Sequence, residues 1–474
     1  MNKSKKLIRD TIIYTIALFG SKLVSFLLLP LYTSYFTSNE YGNWDLITTT
    51  VSLIMPFISF EVLSAVYRWL LETKDKEERK DIISTGFIYT IRNILIFNIL
   101  VVIALNMFDI SQGIVALIMI NLSILSDFIQ MCVRGCGYNK QFALIGVAQT
   151  IVTLLSNLFF ILLLHTRLET FFYVSMLSSI VGIIVGWYTL KFHQYVSINK
   201  YSRKILKSFL KYSVPMIPAA INWWIMNASD RYIIALGLGA SANGIYAVSN
   251  KLPTIISIVN SIFFMAWQDN AILGYKDKNR DIYYTNVFKY YFRLMATMCI
   301  LLISSNRIMM RVIVNSQFIE AWKYTSLLYI GAIFSAFSSF WGAGYHGSKQ
   351  TNVILKTTLI GAIVNILINS SFIKVIGMYS AAISTVMGFF TMWIMRIFNK
   401  NASFKIKVNK RDFIVLILLM ILTLSCSYYE SLLIDCILIF VAIVIFIIFN
   451  LDIIRRISEL IKKKFIVQKE NQVI

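Results

Sequence analysis

Apolar runs of about 20 residues follow one another along the chain from Thr11 to Asn450, separated by short polar breaks. No stretch alternates with the period of two that a barrel strand requires. Each run is long enough to cross about 30 Å of hydrocarbon as a helix. They begin near Thr11, Asn43, Asp81, Gln112, Lys140, Thr170, Phe209, Ala242, Tyr283, Trp322, Asn352, Gly377, Asp412 and Ser431. The pattern predicts an all-α integral membrane protein with about 14 transmembrane helices. Pro215 and Pro218 predict a break or bend near the inner end of the seventh span. The run from Thr11 is too long for a signal-peptide core and has no small-x-small cleavage site, so it is read as an uncleaved first span.

Composition agrees with this reading: 58% of residues are hydrophobic and 14% charged, and the mean hydropathy is +0.70. Soluble domains have roughly 45 to 50% and about 25%. The five cysteines lie mostly in apolar runs and suggest no disulfide framework.

Charge orients the spans. With fourteen of them, both termini and every second loop share one side, and 34 of the 45 Lys and Arg residues fall there. Five, Arg167, Arg307, Arg311, Lys323 and Lys374, fall in loops on the other side, and six lie within spans. The positive-inside rule makes the basic side cytoplasmic, which predicts a multi-pass protein of the bacterial cytoplasmic membrane with both termini inside. The net charge of +22 follows from this asymmetry and suits an anionic inner leaflet, at about 1 kcal/mol per surface cation. No nucleic-acid partner is expected.

The longest basic segments divide the chain into residues 1–199 with spans 1 to 6, 200–400 with spans 7 to 12, and 401–474 with a last pair and a basic tail. The expected plan is two pseudo-symmetric six-helix lobes around a central cavity plus a C-terminal helix pair. A faint repeat supports it. "NEYGNWDL" (Asn39 to Leu46) and "SANGIYAV" (Ser241 to Val248) each carry Gly, one residue, then an aromatic, and Gly42 and Gly244 lie 202 positions apart.

An ionisable side chain at a helix centre costs about 2.5 to 3.5 kcal/mol, which makes charges inside spans functional candidates. From the helical rise, Lys22 lies about 16 Å deep, Lys251 about 13 Å and Arg231 about 10 Å. Arg92 is also deep, whereas Arg68 and Arg293 lie near a basic edge and are predicted to snorkel. Among acids, Glu61 is central in span 2, with Asp45 nearer its start, and Asp230 precedes Arg231. Asn365 and Asn369 stack on one face of span 11, and Thr385 lies in span 12. Together with Asp230 these would supply the hard oxygen donors a small cation prefers. "GAGYHG" (Gly342 to Gly347) matches GxGxxG but follows an apolar helix with no βαβ unit around it, so no nucleotide site is inferred. The three histidines lack metal-like partners, and no metal beyond sodium is expected.

Three stretches carry a resemblance: "GSKLVSFLLLPLYTSYFTSNEYGNWDL" with "PFISFEVLSAVYRW", then "INWWIMNASDRYIIALGLGASANGIYAVSNKLPTIISIVNSIFFMAWQ", then "FIEAWKYTSLLYIGAIFSAFSSFWGAGYHGSKQT". They resemble helices 1 to 2, 7 to 8 and the helix 10 region of polysaccharide repeat-unit flippases of the multidrug/oligosaccharidyl-lipid/polysaccharide exporter superfamily. The resemblance implies a transporter rather than an enzyme. It would flip undecaprenyl-pyrophosphate-linked oligosaccharide to the outer leaflet by alternating access, for capsule, O-antigen or a related glycan. It also implies that Lys22, Arg231 and Lys251, with Arg92 and Arg68, contact the pyrophosphate or acidic sugars. Asp230, Asn365, Asn369 and Thr385 would then hold the coupling cation, sodium or a proton, since polar residues on helices 7, 11 and 12 play a sodium-binding part in related lipid II flippases. Glu61 and Asp45 would be further cavity acids. No cofactor is implied, and a polysaccharide polymerase is the expected protein partner. Two alternatives stand beside this reading: a cation-coupled multidrug antiporter, and a polyprenyl-dependent glycan polymerase or glycosyltransferase. The antiporters often carry a carboxylate in helix 1, but residues 11–35 hold none. The enzymes need a large acidic outer loop, and none is present.

Overall fold

The computed structural model describes residues 24–107 and 113–470, with side chains described for 24–103 and 113–455. Among these residues there is no strand. The chain divides into two compact units, Met1–Gly244 and Ile245–Ile474. This cut falls elsewhere than the boundaries at 199 and 400 that span counting suggests.

In the first unit, α1 (Leu29–Tyr35) is followed by α2 (Ser38–Ser59). Thr37 and Glu40 form a reciprocal capping box at the start of α2, which fixes where the helix begins. At its other end Phe60 and Glu61 both adopt left-handed backbone angles, and the chain turns by 60° into α3 (Val62–Glu72). Two consecutive non-glycine residues in that region are costly, so the surroundings must hold them. Asn93 does part of this by donating a 3.0 Å hydrogen bond to the Ile58 carbonyl beside the break. Glu61, expected in mid-helix, therefore begins α3, and its carboxylate accepts from Ser64 at 2.8 Å.

The remaining helices of this unit are α4 (Lys76–Met107), α5 (Gly113–Gly135), α6 (Asn139–Leu158), α7 (Leu168–Leu190), α8 (Arg203–Ser213) and α9 (Ile217–Leu238). The core between α3, α4, α5, α7 and α8 is built from Val66, Phe128, Cys132, Leu190 and Phe209, all nearly inaccessible. Helix α8 buries Leu206 and Phe209 while Lys204, Lys207 and Lys211 stay exposed, the pattern of a helix with one apolar face. The seventh span was expected to begin at Phe209. It begins at Ile217 instead, because a 3-10 turn over Val214–Met216 with Pro215, then Pro218 in the first turn of α9, separates it from α8.

Helix α10 (Ala240–Ser249) contains the cut between the units. The second unit continues with α11 (Thr254–Leu273), α12 (Arg280–Ile313), α13 (Ala321–Gly347), α14 (Thr351–Ile376), α15 (Tyr379–Ile397), α16 (Lys410–Ser427) and α17 (Leu432–Glu470). Helix α13 is the most deeply buried of its apolar helices. Trp267 stacks on Phe340 with centroids 4.2 Å apart and donates to the Phe340 carbonyl at 3.0 Å, while Phe263 stacks on Tyr291 at 4.2 Å. The last two helices are joined to α12 by charge. Arg293 meets Asp412 of α16 at 2.6 Å, and Arg307 meets Asp435 of α17 through two contacts of 2.8 and 2.7 Å. Two expectations change here. Arg293 is paired rather than snorkelling, and Arg307, read as part of an outer loop, lies buried inside a 34-residue helix.

Nine helices among the described residues are long and apolar enough to cross a membrane, or eleven if each bent pair, α2 with α3 and α10 with α11, is one span. Of the other three expected spans, two coincide with α9 and α16, which are helical but fall short by composition, and the one from Thr11 lies outside the described residues except for its last part, which holds α1.

Candidate functional site

The expected site residues fall in both units, and Lys22 lies outside the described residues. In the first unit the start of α2 crosses the start of α10 glycine against glycine. A Cβ at Gly42 would collide with the Ala240 carbonyl oxygen and press on Gly244 N. One at Gly244 would collide with the Ser38 carbonyl and press on Gly42 N. Each helix thus presents the same register to the other, Ser38 corresponding to Ala240 and Gly42 to Gly244. The hydroxyls of Ser38 and Ser241 share a 2.6 Å hydrogen bond, and Asn243 donates to the Gly42 carbonyl at 2.9 Å. The faint repeat in the sequence is therefore a contact of the repeat with itself.

Arg231 lies next to this crossing. Its Nε meets Asp45 Oδ2 at 2.8 Å, its Nη1 donates to the Asn227 carbonyl at 2.6 Å, and Asn243 Nδ2 reaches Asp45 at 3.4 Å. The two side chains keep 16% and 14% exposure. Asp230 is buried, at 4%. The two adjacent charges point differently because neighbouring helical residues are about 100° apart. Helices α2 and α9 are further joined by Trp224 donating to the Thr49 carbonyl at 2.9 Å and by a Thr50 to Tyr232 hydroxyl bond.

The other expected residues have separate surroundings. Arg68 is exposed, 3.3 Å from Glu72 and 4.6 Å from the Tyr212 ring centroid. Arg92 stands 4.7 Å from the centroid of Tyr89. In the second unit Lys251 occupies the turn between α10 and α11, where the helix axis bends by 48°. Asn365 and Asn369 are fully buried between α14 and α15, where Asn365 donates to Ser384 at 3.4 Å and Asn369 accepts from Ser380 at 2.9 Å. Thr385 donates to the Ala381 carbonyl of its own helix at 2.9 Å.

Sequence reading gave no role to Arg396. It is 4% exposed and donates to Thr357, Thr358 and the Ser338 carbonyl at 3.0, 3.2 and 2.7 Å. Adjacent threonines on α14 were the available signal, and they become meaningful only once α14 and α15 are seen to pack. Outside the spans, Lys200 hydrogen-bonds Glu77 at 3.0 Å with Asp81 at 3.7 Å, which holds its ammonium above its ordinary pKa.

Comparison with known proteins follows the same lines. The family model described as polysaccharide biosynthesis protein matches residues 7–267, more than half of the chain. An uncharacterized membrane protein of Methanocaldococcus jannaschii is 26% identical over 245 residues, 50% of this chain and 47% of that protein. A protein of the Lsg locus of Haemophilus influenzae is 25% identical over 261 residues, 53% and 63% of the two chains. The chain therefore spans less than two thirds of the length of either curated relative. Among solved structures, the inward closed conformation of the lipid II flippase MurJ superimposes with a TM-score of 0.70 at 16% identity, covering 94% of this chain and all of that one. An outward-facing multidrug resistance transporter of the MATE family gives 0.58 at 14%, covering 87% and 95%. A MOP superfamily transporter from Pyrococcus furiosus gives 0.58 at 13%, covering 89% and 95%. At such identities the likeness is one of fold. The chain is a multi-pass membrane protein that belongs to the polysaccharide biosynthesis protein family and has the fold shared by MurJ and the MATE transporters.

Proposed function

We propose that the protein is a flippase that carries undecaprenyl-pyrophosphate-linked oligosaccharide from the inner to the outer leaflet of a bacterial cytoplasmic membrane by alternating access. The glycan would serve a capsule, O-antigen or related surface polysaccharide, with a polysaccharide polymerase as the downstream partner. The observation that supports this most is the joint one: membership of a polysaccharide biosynthesis family and a fold matched across 94% of the chain by a lipid II flippase. A lipid-linked pyrophosphate needs cations within the spans, and in this reading Arg231 of α9 and Lys251 of the α10 to α11 turn would supply them. Coupling to sodium or protons falls in this reading to Asp230, a buried carboxylate on the same helix as Arg231.

The test is complementation of strains that lack their own flippase, each supplying a different repeat unit. Surface glycan is expected to reappear in at least one strain, and Asp230→Asn is expected to slow export and remove its dependence on the sodium or proton gradient. Protein present in the membrane with no glycan restored in any strain, but with extrusion of cationic dyes, would replace this reading by the multidrug antiporter.

A further inference from the structure

From Arg92 to Ile103 one face of α4 turns outward. Arg92, Leu95, Ile96, Ile99, Leu100 and Ile103 recur at helical spacing and are all exposed, the aliphatic ones at 51 to 62%. Apart from Arg92 this stripe is wholly apolar, so it is a surface suited to hydrocarbon. Where it meets the broken end of α2 there is a cavity of about 420 Å³ walled by Ile54, Phe57, Phe60, Ile96 and Leu100, with Arg92 and Tyr89 also lining it. That size lies within the range of about 300 to 1,000 Å³ common for ligand sites.

Arg92 differs from the other arginines set within spans. Arg231, Arg293 and Arg307 each hold an aspartate, and Arg396 holds three neutral oxygens. Arg92 stands over an aromatic ring, and among the described residues no carboxylate pairs with it. The helical rise places it about 16 Å along α4 from Asp81, the expected start of the third span, which on that reading is about half the depth of the hydrocarbon. A cation on an apolar face, at that depth and beside an apolar groove, is complementary to a ligand with one anionic end and a long apolar chain. Resident glycerophospholipids keep their phosphates near the membrane surface, whereas a lipid in transit between leaflets carries its phosphate through this depth.

We propose that the groove between α2 and α4 binds the phosphate end of a polyprenyl phosphate lipid. Arg92 meets the phosphate, and the first isoprene units lie against Phe57, Phe60, Ile96 and Leu100. The identity of the lipid rests on the flippase reading, while the site itself rests on the geometry of the first unit.

The experiment is native mass spectrometry of the purified full chain with undecaprenyl phosphate as the probe and phosphatidylglycerol as competitor. Wild-type protein is expected to retain undecaprenyl phosphate against an equal concentration of phosphatidylglycerol. Arg92→Gln should weaken that binding at least tenfold, Arg92→Lys should keep part of it, and Leu100→Trp should block the groove with Arg92 intact. Because Arg92 and Leu100 are exposed, these variants are expected to elute as folded protein. Equal binding by wild type and Arg92→Gln, or displacement by phosphatidylglycerol at parity, would overturn the site. Arg92-dependent binding in a protein that restores no glycan export upholds the site and counts against the flippase reading. Export by a protein whose lipid binding ignores Arg92 overturns the site alone.

Discussion

Each unit contains an arginine and aspartate joined across two helices, and the two pairs differ in how they are held. In the second unit Arg307 and Asp435 are 3% and 1% exposed, meet through two nearly parallel contacts, and have the Ser431 carbonyl 2.9 Å from Arg307 Nη2. Such a pair is dry and geometrically fixed, and separating it would leave an uncompensated charge in the interior. In the first unit Arg231 and Asp45 are 16% and 14% exposed, and Arg231 also leans on a carbonyl of its own helix. Water or a ligand anion can reach that pair, so opening it costs far less. The comparison separates a fastening from a contact that can be exchanged. Arg307 and Arg293 fix α17 and α16 to α12, so the final helix pair moves with the rest of its unit.

Removing one partner of the dry pair is the strongest way to break the comparison. Asp435→Ala is expected to destabilise the protein by about 3 to 5 kcal/mol, read as thermal unfolding in detergent or as loss of membrane-inserted protein. Replacing both partners, as Arg307→Met with Asp435→Leu, should recover most of that loss, since apolar packing can stand in for a buried pair.

Next in size is the crossing beside the exchangeable pair. Gly42→Leu forces a side chain into a helix backbone and is expected to cost about 1 to 3 kcal/mol. It should also abolish the disulfide that a Ser38→Cys/Ser241→Cys pair forms in the otherwise unchanged protein, scored by gel mobility. The smallest effect belongs to Asp45→Asn, which keeps the shape and is expected to cost about 1 kcal/mol. Combining Asp45→Arg with Arg231→Asp should return stability to near the wild-type value. A loss from Asp45→Asn as large as that from Asp435→Ala would show that the two pairs are alike after all.

The spans were legible because a membrane helix announces itself by length and hydropathy, and most expected starts fall within a few residues of the observed ones. The break at Phe60 and Glu61 was not legible. Neither residue is glycine or proline, and what stabilises the turn includes Asn93, more than 30 residues away. Pro215 did carry a local signal, because its missing N–H acts wherever it stands. Arg307 resembled a loop residue because its partner Asp435 is 128 positions distant, and no local pattern reveals such a pairing. Arg231 stood out as a charge inside an apolar run, but its partner Asp45 lies on another helix far away in sequence and has no local signature. The cation set fared differently. Asn365 and Asn369 share a helix face as expected, and the structure shows that face packed against Ser384 and Ser380 of α15.

The crossing of Gly42 and Gly244 has a hereditary side. Each glycine occupies the space beside the other helix's backbone, so a side chain gained at one site cannot be accommodated by shrinking the residue at the other, which is already as small as a residue can be. Compensation is closed off in both directions. The two codons, 202 positions apart, therefore form a single mutational target, and descent with variation is expected to preserve them jointly while the aromatic and polar residues around them drift.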